Sequence, residues 1–400
     1  MFVPENLVEL SLPPSGSRVA VAMSGGVDSS LVAYLMADRG CQVIGVTMRV
    51  YDGSINFPEG AGNGCYGPGE EEDEAACRRL CASIGAEYVV IDLAQAYSRE
   101  VLQYFTSEYM KGRTPNPCLR CNPLIKFGLL PQALQKQGYS YDYFITGHYA
   151  RLLAPAGDPS RGVYLAPGSD PSKDQSYFLQ RVPQPVLQKV RFPLGIYQKQ
   201  EVRALAKEYG LEVADKKDSQ DFVATEDYDT LFDSQALAPG PIVDTNGKVL
   251  GKHRGIVRYT IGQRRGVGVS TGSEPLYVVA LDAVTNRVIV GHEKDLFAQG
   301  LRAVDPCWAP GYGTESFRAL TKIRLASRPA WATVTPHPDG TVQVLFDEPQ
   351  RAIAPGQSAA FYVPREPGQF EQSDAMAGSR VPFNTILAGG AIIDGVLAQS

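Results

Sequence analysis

A chain of 400 residues, 44% hydrophobic and 20% charged, is long enough for two or three domains with their own cores and too apolar to be disordered. Seven cysteines, an odd number, are too dilute for a disulfide framework and point to free or functional thiols in a reducing compartment. Lys+Arg number 38 against 43 Asp+Glu, and the resulting charge of −5 argues against nucleic acid as a partner unless basic residues gather locally.

The first 17 residues are polar, acidic and Pro-containing, unlike a signal peptide, and no apolar run approaches the roughly 18 residues that span a bilayer. The expectation is a cytoplasmic protein with no membrane partner. Residues 18–23 (RVAVAM) form a short apolar run, and residues 29–38 carry apolar side chains at helical spacing up to Gly40. Residues 43–50 read as a second strand, and 70–84 as a helix with an acidic first turn. Residues 88–93 (YVVIDL) are a third strand, 98–110 a helix with Ser98 as its N-cap, 123–136 another helix, and 143–146 a fourth strand. Apolar strands separated by helices indicate a parallel sheet covered on both faces, with ligands outside its carboxyl ends.

Beyond residue 217 the pattern changes. Gly, Pro and turn residues multiply from Pro239, and short alternating segments follow at 278–281, 288–290, 332–334, 342–346 and 359–363. They suggest antiparallel sheet in a small barrel or sandwich. Residues 365–384 are rich in Pro, Gly and Ser and read as a loop before a last apolar segment, 385–393. The division expected is 1–217 as an α/β nucleotide domain, 218–282 as a small central domain, and 283–400 as a β-barrel. There is no internal repeat.

The strongest local signal is Ala22-Met23-Ser24-Gly25-Gly26-Val27-Asp28-Ser29-Ser30, which follows a strand and opens a helix. Two glycines admit an anion close to the backbone. Successive N–H groups, the serine hydroxyls and the helix N-terminus can then hold phosphate oxygens. It is not a Walker A loop, because no Gly-Lys-Ser/Thr follows. Gly62-Asn63-Gly64-Cys65-Tyr66-Gly67 matches G-x-G-x-x-G only by chance, since no strand precedes it and an acidic run follows.

The second signal is Arg113-Thr114-Pro115-Asn116-Pro117-Cys118-Leu119-Arg120-Cys121-Asn122, a stiff loop between two helices. A helix N-terminus just beyond it, with Arg113, Arg120 and Lys126, would lower a thiol pKa and make a nucleophile. A zinc half-site or a redox pair are the alternatives for C-x-x-C; the lack of a second C-x-x-C and the four histidines disfavour zinc.

The serine-glycine loop resembles that of the enzymes that split ATP into AMP and pyrophosphate. Further motifs narrow the resemblance: Thr146 to Arg151, Lys173 to Phe178, Phe192 to Gly195, Tyr259 to Arg264, and Pro355 to Ser358. With the cysteine loop, in this order from about residue 18 to 394, they resemble the bacterial tRNA-specific 2-thiouridylase family, which replaces the 2-oxygen of the wobble uridine with sulfur. The resemblance implies an N-terminal ATPase domain, a small central domain and a C-terminal β-barrel. It implies ATP and Mg2+ as co-reactants, and as partners tRNA and a sulfur donor or relay protein.

The resemblance also implies site residues. Ala22, Met23, Ser24, Gly25, Gly26, Val27, Asp28 and Ser29 match the ATP loop, Met48 an adenine contact, and Gly147 a further ATP contact. Cys121 matches the catalytic cysteine. Asn116, Pro117 and Cys118 match the segment that touches the target base, and His148, Lys173, Asp174, Gln175, Arg324, Leu325 and Gln357 match tRNA contacts. Taken alone, Met48 also reads as core, His148 as a strand-end cap, and residues 173–175 as a solvated turn. Asp28 is the candidate on the magnesium side.

One departure stands out. Other members carry a second catalytic cysteine in the central domain, yet the matching stretch, residues 218–228, has none. Cys118 stands where those members have Asp. Either Cys118 takes the partner role, or Cys118 and Cys121 ligate an iron–sulfur cluster of the [4Fe-4S] kind with a third ligand, Cys65 foremost. Cys77 and Cys81 read as core or helix surface, and Cys41 and Cys307 as small apolar residues.

Residues 250–273 hold Lys252, Arg254, Arg258, Arg264 and Arg265, with His253 and Tyr259 and no acid. Lys111, Arg113, Arg120 and Lys126 form a second basic group around the cysteine loop. Both are expected phosphate-binding surfaces. ATP-dependent tRNA thiolation is the leading reading. The alternatives are an amidotransferase-type ATP enzyme and a tRNA-binding protein without thiolation.

Overall fold

The computed structural model describes residues 4, 6–55, 57, 64–217, 222–223, 225–269, 274–366 and 380–397. A five-stranded parallel sheet organises the N-terminal part, in the order Glu87–Asp92, Gln42–Arg49, Arg18–Ala22, Tyr143–Ile145, Val190–Arg191. Successive residues face opposite sides. Val19 and Val21 pack with helices Val27–Asp38, Glu70–Ser83 and Lys199–Glu208, while Ala20 faces the core built on Tyr97, Phe105, Ile125 and Phe127. Each large apolar side chain buried this way stabilises the fold by about 1.5–3 kcal/mol.

Gly45 lets the helix Glu70–Ser83 approach the sheet. A Cβ there would stand 2.5 Å from Cys81 Sγ and 2.8 Å from Met23 Sδ. Arg49 completes the packing by donating two hydrogen bonds to the buried Glu74, at 2.9 and 2.8 Å. Cys77 and Cys81, read as core or helix surface, are both core residues.

The helix expected from Ser98 starts earlier, at Ala94, and Ser98 lies inside it. Asp92 Oδ1 accepts from Ala94 N at 3.0 Å, so the carboxylate at the strand end covers the N–H of the first helical residue, while Leu93 holds the N-cap position. Among the strands that the sequence reading did not place, Leu7–Glu9, Ala150–Pro155 and Tyr164–Pro167 form an antiparallel sheet. Its Leu7, Leu153, Tyr164 and Ala166 share a core with the C-terminal barrel.

The later strands form two sheets. Gly240–Asp244, Val249–His253, Tyr277–Asp282 and Arg287–Gly291 make a small central sheet whose middle pair is parallel. Segments 278–281 and 288–290 belong to it. The remaining six strands, Phe297–Trp308, Phe317–Lys322, Ala330–Pro336, Val342–Arg351, Ser358–Pro364 and Thr385–Val396, close into an antiparallel barrel. Of the expected loop 365–384, residues 367–379 lie outside the described residues. No described helix is long and apolar enough to cross a membrane.

The barrel is bolted to the N-terminal part. Tyr177 Oη donates to Ser358 O at 2.9 Å, Ser176 Oγ and Tyr362 Oη lie 3.0 Å apart, and Ser358 Oγ donates to Gln180 Oε1 at 2.8 Å. All five residues are buried.

Candidate functional site

Strands Arg18–Ala22 and Tyr143–Ile145 are neighbours, and the strand order reverses between them, which opens a crevice at their carboxyl ends. The serine-glycine loop leaves the first strand there and Thr146-Gly147-His148 leaves the second. Gly147 packs so tightly that a Cβ would lie 3.1 Å from the Asp28 carbonyl carbon and 3.2 Å from Ser29 N. The two motifs therefore form one site.

Gly25 has φ +67°, and its missing Cβ makes room for Asp73. Gly26 is the N-cap of helix Val27–Asp38, so no capping side chain covers the first-turn N–H groups. Ser24 N donates to Ser29 Oγ at 3.1 Å, and Ser29 Oγ donates to Gly26 O at 3.3 Å. These features suit a phosphate chain. Met48, one residue before the end of the next strand, is half-buried against the large core.

Two lysines distant in sequence join the loop. Lys199 Nζ donates to both Asp28 oxygens at 2.6 and 2.8 Å, and Tyr149 Oη donates to Asp28 Oδ1 at 2.8 Å. Lys216 Nζ donates to Gly25 O at 3.2 Å and pairs with Asp73. Sequence reasoning missed both, because no local motif marks them. The carboxylate of Asp28, expected on the magnesium side, is engaged by an ammonium group and is not an open metal ligand in this arrangement.

The cysteine loop is held from three directions. Thr114 N donates to Pro355 O at 2.8 Å, Gln357 Nε2 donates to Thr114 O at 2.9 Å, and the hydroxyls of Thr114 and Thr260 lie 2.8 Å apart. Gly356 has φ +90°, and a Cβ there would stand 2.9 Å from Thr114 N. Asn116 Oδ1 accepts from Cys118 N at 3.1 Å and starts the helical turn Cys118–Arg120, which continues as the π-helix Cys121–Leu129. Cys118 and Cys121, three residues apart on this helical stretch, share a face and are both half-buried.

The thiol chemistry differs from expectation. Burial pushes the Cys121 thiol up to about 11, and Lys126 offsets this only in part. The arginines are engaged elsewhere: Arg113 with Glu108 at 2.7 Å and Asp394 at 3.3 Å, Arg120 with Glu100 at 3.7 Å and over the Tyr104 ring. Lys111 pairs with Glu108 at 2.8 Å. The basic group around the loop is thus largely neutralised by acids the motif does not show.

The positions matched to tRNA contacts come from several elements, and Gln175 meets the residue after His148. His148 is buried between Phe127 and Phe192, each 5.6 Å away, with Nδ1 2.7 Å from Thr146 Oγ1. Burial holds its pKa well below the usual histidine range, so it is neutral. Asp174 accepts from Gly168 N, Ser176 N and Ser176 Oγ, and Gln175 Oε1 accepts from Tyr149 N at 2.9 Å. Lys173 is half-buried in the same turn. Arg324 donates to Ile261 O at 2.9 Å, next to the exposed Leu325. Gln357 acts inward, on the cysteine loop.

Lys252, Arg254, Arg258, Arg264 and Arg265 are exposed, whereas His253 and Tyr259 point into the central core. Arg258 pairs with Asp229 at 2.6 Å. Residues 270–273 of this segment lie outside the described residues.

The chain matches the tRNA methyl transferase HUP domain family over residues 17–225. It also matches the corresponding PRC-barrel domain over 229–292 and an aminomethyltransferase beta-barrel domain over 298–366. It is 42% identical over 349 residues to the tRNA-specific 2-thiouridylase MnmA of Endomicrobium trichonymphae, covering 86% of this chain and 95% of that protein. It is 44% identical over 352 residues to the protein of that name in Magnetococcus marinus, with 86% and 95% covered. The chain belongs to the tRNA-specific 2-thiouridylase family.

Against other 2-thiouridylases the stretch 218–228 is the point of interest. Residues 218–221 and 224 lie outside the described residues, while Phe222 and Val223 are buried. A cluster on Cys118, Cys121 and Cys65 finds no support in the donor set. Among the described residues no group of three His, Cys, Asp or Glu side chains is arranged to hold a metal ion.

Proposed function

We propose that this 2-thiouridylase family member exchanges the 2-oxygen of the wobble uridine of tRNA for sulfur, driven by cleavage of ATP to AMP and pyrophosphate. The observation that carries the reading is the physical continuity of loop and thiol. The segment Cys121–Leu129 packs Phe127 on His148, and the adjacent Gly147 touches the first turn of the phosphate-loop helix. An anion site and a nucleophile joined through one packed core suit a reaction that needs both.

A uridine C2 oxygen is a poor leaving group. Transfer of adenylate onto it makes AMP the leaving group, while the N–H groups of residues 24–29 hold the pyrophosphate. Lys199 and Lys216 stand where a phosphate can exchange for their present carboxylate partners. Magnesium would offset phosphate charge. Sulfur carried by a cysteine then attacks C2 and AMP departs. The base must leave the anticodon stack to reach this site. Exposed Lys252, Arg254, Arg264 and Arg265 on the central sheet and its loops supply phosphate contacts.

The test is incubation with unmodified tRNA, ATP and a sulfur donor. Sulfur in the wobble uridine, with AMP formed and thiolation abolished by Cys121→Ser, is the expected result. AMP formation that follows an added carboxylate instead of tRNA would favour the amidotransferase-type chemistry. tRNA binding without AMP formation would leave a binding protein.

A further inference from the structure

The last barrel strand, Thr385–Val396, loses its register beside the root of the cysteine loop. Arg302 pairs with Gly395 and Ala303 with Ile393, so Asp394 is left over as the extra residue of a β-bulge. On the other side of strand Phe297–Trp308 the register is unbroken, with Arg302 against Gln343 and Ala303 against Val342. The irregularity therefore belongs to Asp394 and not to a bend of the whole wall. A bulge gives up regular pairing and re-aims a side chain.

The re-aimed carboxylate is shared between two arginines. Oδ2 accepts from Arg302 Nε at 3.1 Å and Oδ1 accepts from Arg113 Nη1 at 3.3 Å. Arg302, with Arg113 beside it, holds Asp394 below the usual carboxylate range, so it is charged at neutral pH. Arg113 is engaged on its other sides as well. Its Nη2 donates to Ile393 O at 3.1 Å and its Nε to Glu108 Oε2 at 2.7 Å. Glu108 is buried near the end of helix Gln103–Met110, and its backbone oxygen accepts from Arg113 N at 3.0 Å. Arg113 thus ties a helix end to the bulge, and the next residue in the chain is Thr114.

The bulged strand also reaches the loop through neutral bonds. Gly356 N donates to Ile393 O and Ile393 N to Gln357 O, each at 2.8 Å. Gln357 Nε2 in turn donates to Thr114 O at 2.9 Å. Asp394 adds a charged bond to this set. From Thr114 to Cys118 the chain is stiffened by Pro115 and Pro117, so a shift at Arg113 passes on to the thiols. A displacement of about 1 Å can cost a reacting group about 100-fold in rate.

We propose that Asp394 is a positioning residue for sulfur transfer: acting through Arg113, it fixes the cysteine loop against the barrel so that Cys121 meets the activated base. This rests on the thiolation reading above. The role is one of geometry and not of affinity, so its loss falls on kcat and not on KM.

The test is thiolation of unmodified tRNA by the full chain, with kcat and the KM for tRNA measured separately. Asp394→Asn keeps the shape and removes the charge. It should lower kcat about tenfold, with the KM for tRNA and the affinity for ATP within about twofold of wild type. Asp394→Glu, which keeps the charge, should recover at least about half of the rate. Arg113→Gln should also slow the reaction. Because Asp394 acts through Arg113, the double variant should be no slower than Arg113→Gln alone.

A wild-type kcat in Asp394→Asn, or losses that add in the double variant, would overturn the assignment. So would a raised KM for tRNA at unchanged kcat, which would make the bulge an RNA contact. A parallel loss of melting temperature and ATP binding would make it a support of the whole fold. A wild type that places no sulfur in tRNA would refute the thiolation reading alone. The clamp is then judged by hydrogen exchange: Asp394→Asn should speed exchange of the peptide holding Thr114 about tenfold while barrel-strand peptides stay protected, and unchanged exchange would refute the clamp too.

Discussion

The Cys121 thiol is shielded by the core that positions it. Burial disfavours the thiolate, so the group stays protonated at neutral pH and ionises only as the pH nears about 11. In the enzyme without substrates, alkylation of Cys121 should rise about tenfold per pH unit between pH 7 and 10. Peptide mass spectrometry after iodoacetamide pulses measures this, and a plateau by pH 8 would contradict it. Lys199 is the second residue-scale case. Its ammonium is mostly buried while the Asp28 carboxylate is about one-third exposed. Lys199→Met should therefore cost about 1–3 kcal/mol of stability, less than a fully buried pair. It should also weaken ATP binding, as calorimetry would show; unchanged affinity would remove Lys199 from the phosphate site.

At the scale of elements, two glycines set the spacing between parts that must meet. Gly147→Val would press on the backbone of Asp28 and Ser29 and displace the phosphate-loop helix. ATP-dependent activity should be lost with a smaller change in melting temperature. Gly356→Ala would strain a backbone at φ +90° by about 1–3 kcal/mol and push on Thr114. Thiolation should fall while ATP binding persists. Loss of both together would show that the barrel turn supports the whole fold and not the cysteine loop in particular.

The same elements show what a sequence reveals. The parallel sheet and the serine-glycine loop are legible because strand, turn and helix are contiguous and carry their own periodicity. Lys199 and Lys216 are not, because their partners lie 171 and 143 residues away. The segment Ala150–Pro155 is buried at nearly every position, and such a run carries no alternation to mark it as an antiparallel strand. Charge sign is legible along residues 250–269, yet direction is not: His253 and Tyr259 turn inward. The cysteine loop misled for the same reason. Its arginines are visible in the motif, and the acids that neutralise them, Glu108, Asp394 and Glu100, are not.

For the whole molecule, three sheets converge on the cysteine loop. The N-terminal part supplies its helix, the central region supplies Thr260, and the barrel supplies Pro355, Gln357 and Asp394. A net charge of −5 averages over an acidic run at Glu70 to Glu74 and the exposed basic residues of the central sheet and its loops. Arg264→Glu with Arg265→Glu should weaken tRNA binding and lower the salt slope by about 1.4–1.8, as for two lost phosphate contacts. Filter binding over a salt series measures it, and an unchanged slope would place the RNA elsewhere.

The central claim is that the uridine oxygen leaves on AMP. The direct measurement is a single turnover with tRNA carrying oxygen-18 at C2 of the wobble uridine, followed by mass spectrometry of the AMP. The account requires the label in AMP, in amounts equal to the sulfur gained by tRNA. AMP carrying solvent oxygen instead, or label retained in thiolated tRNA, would contradict it.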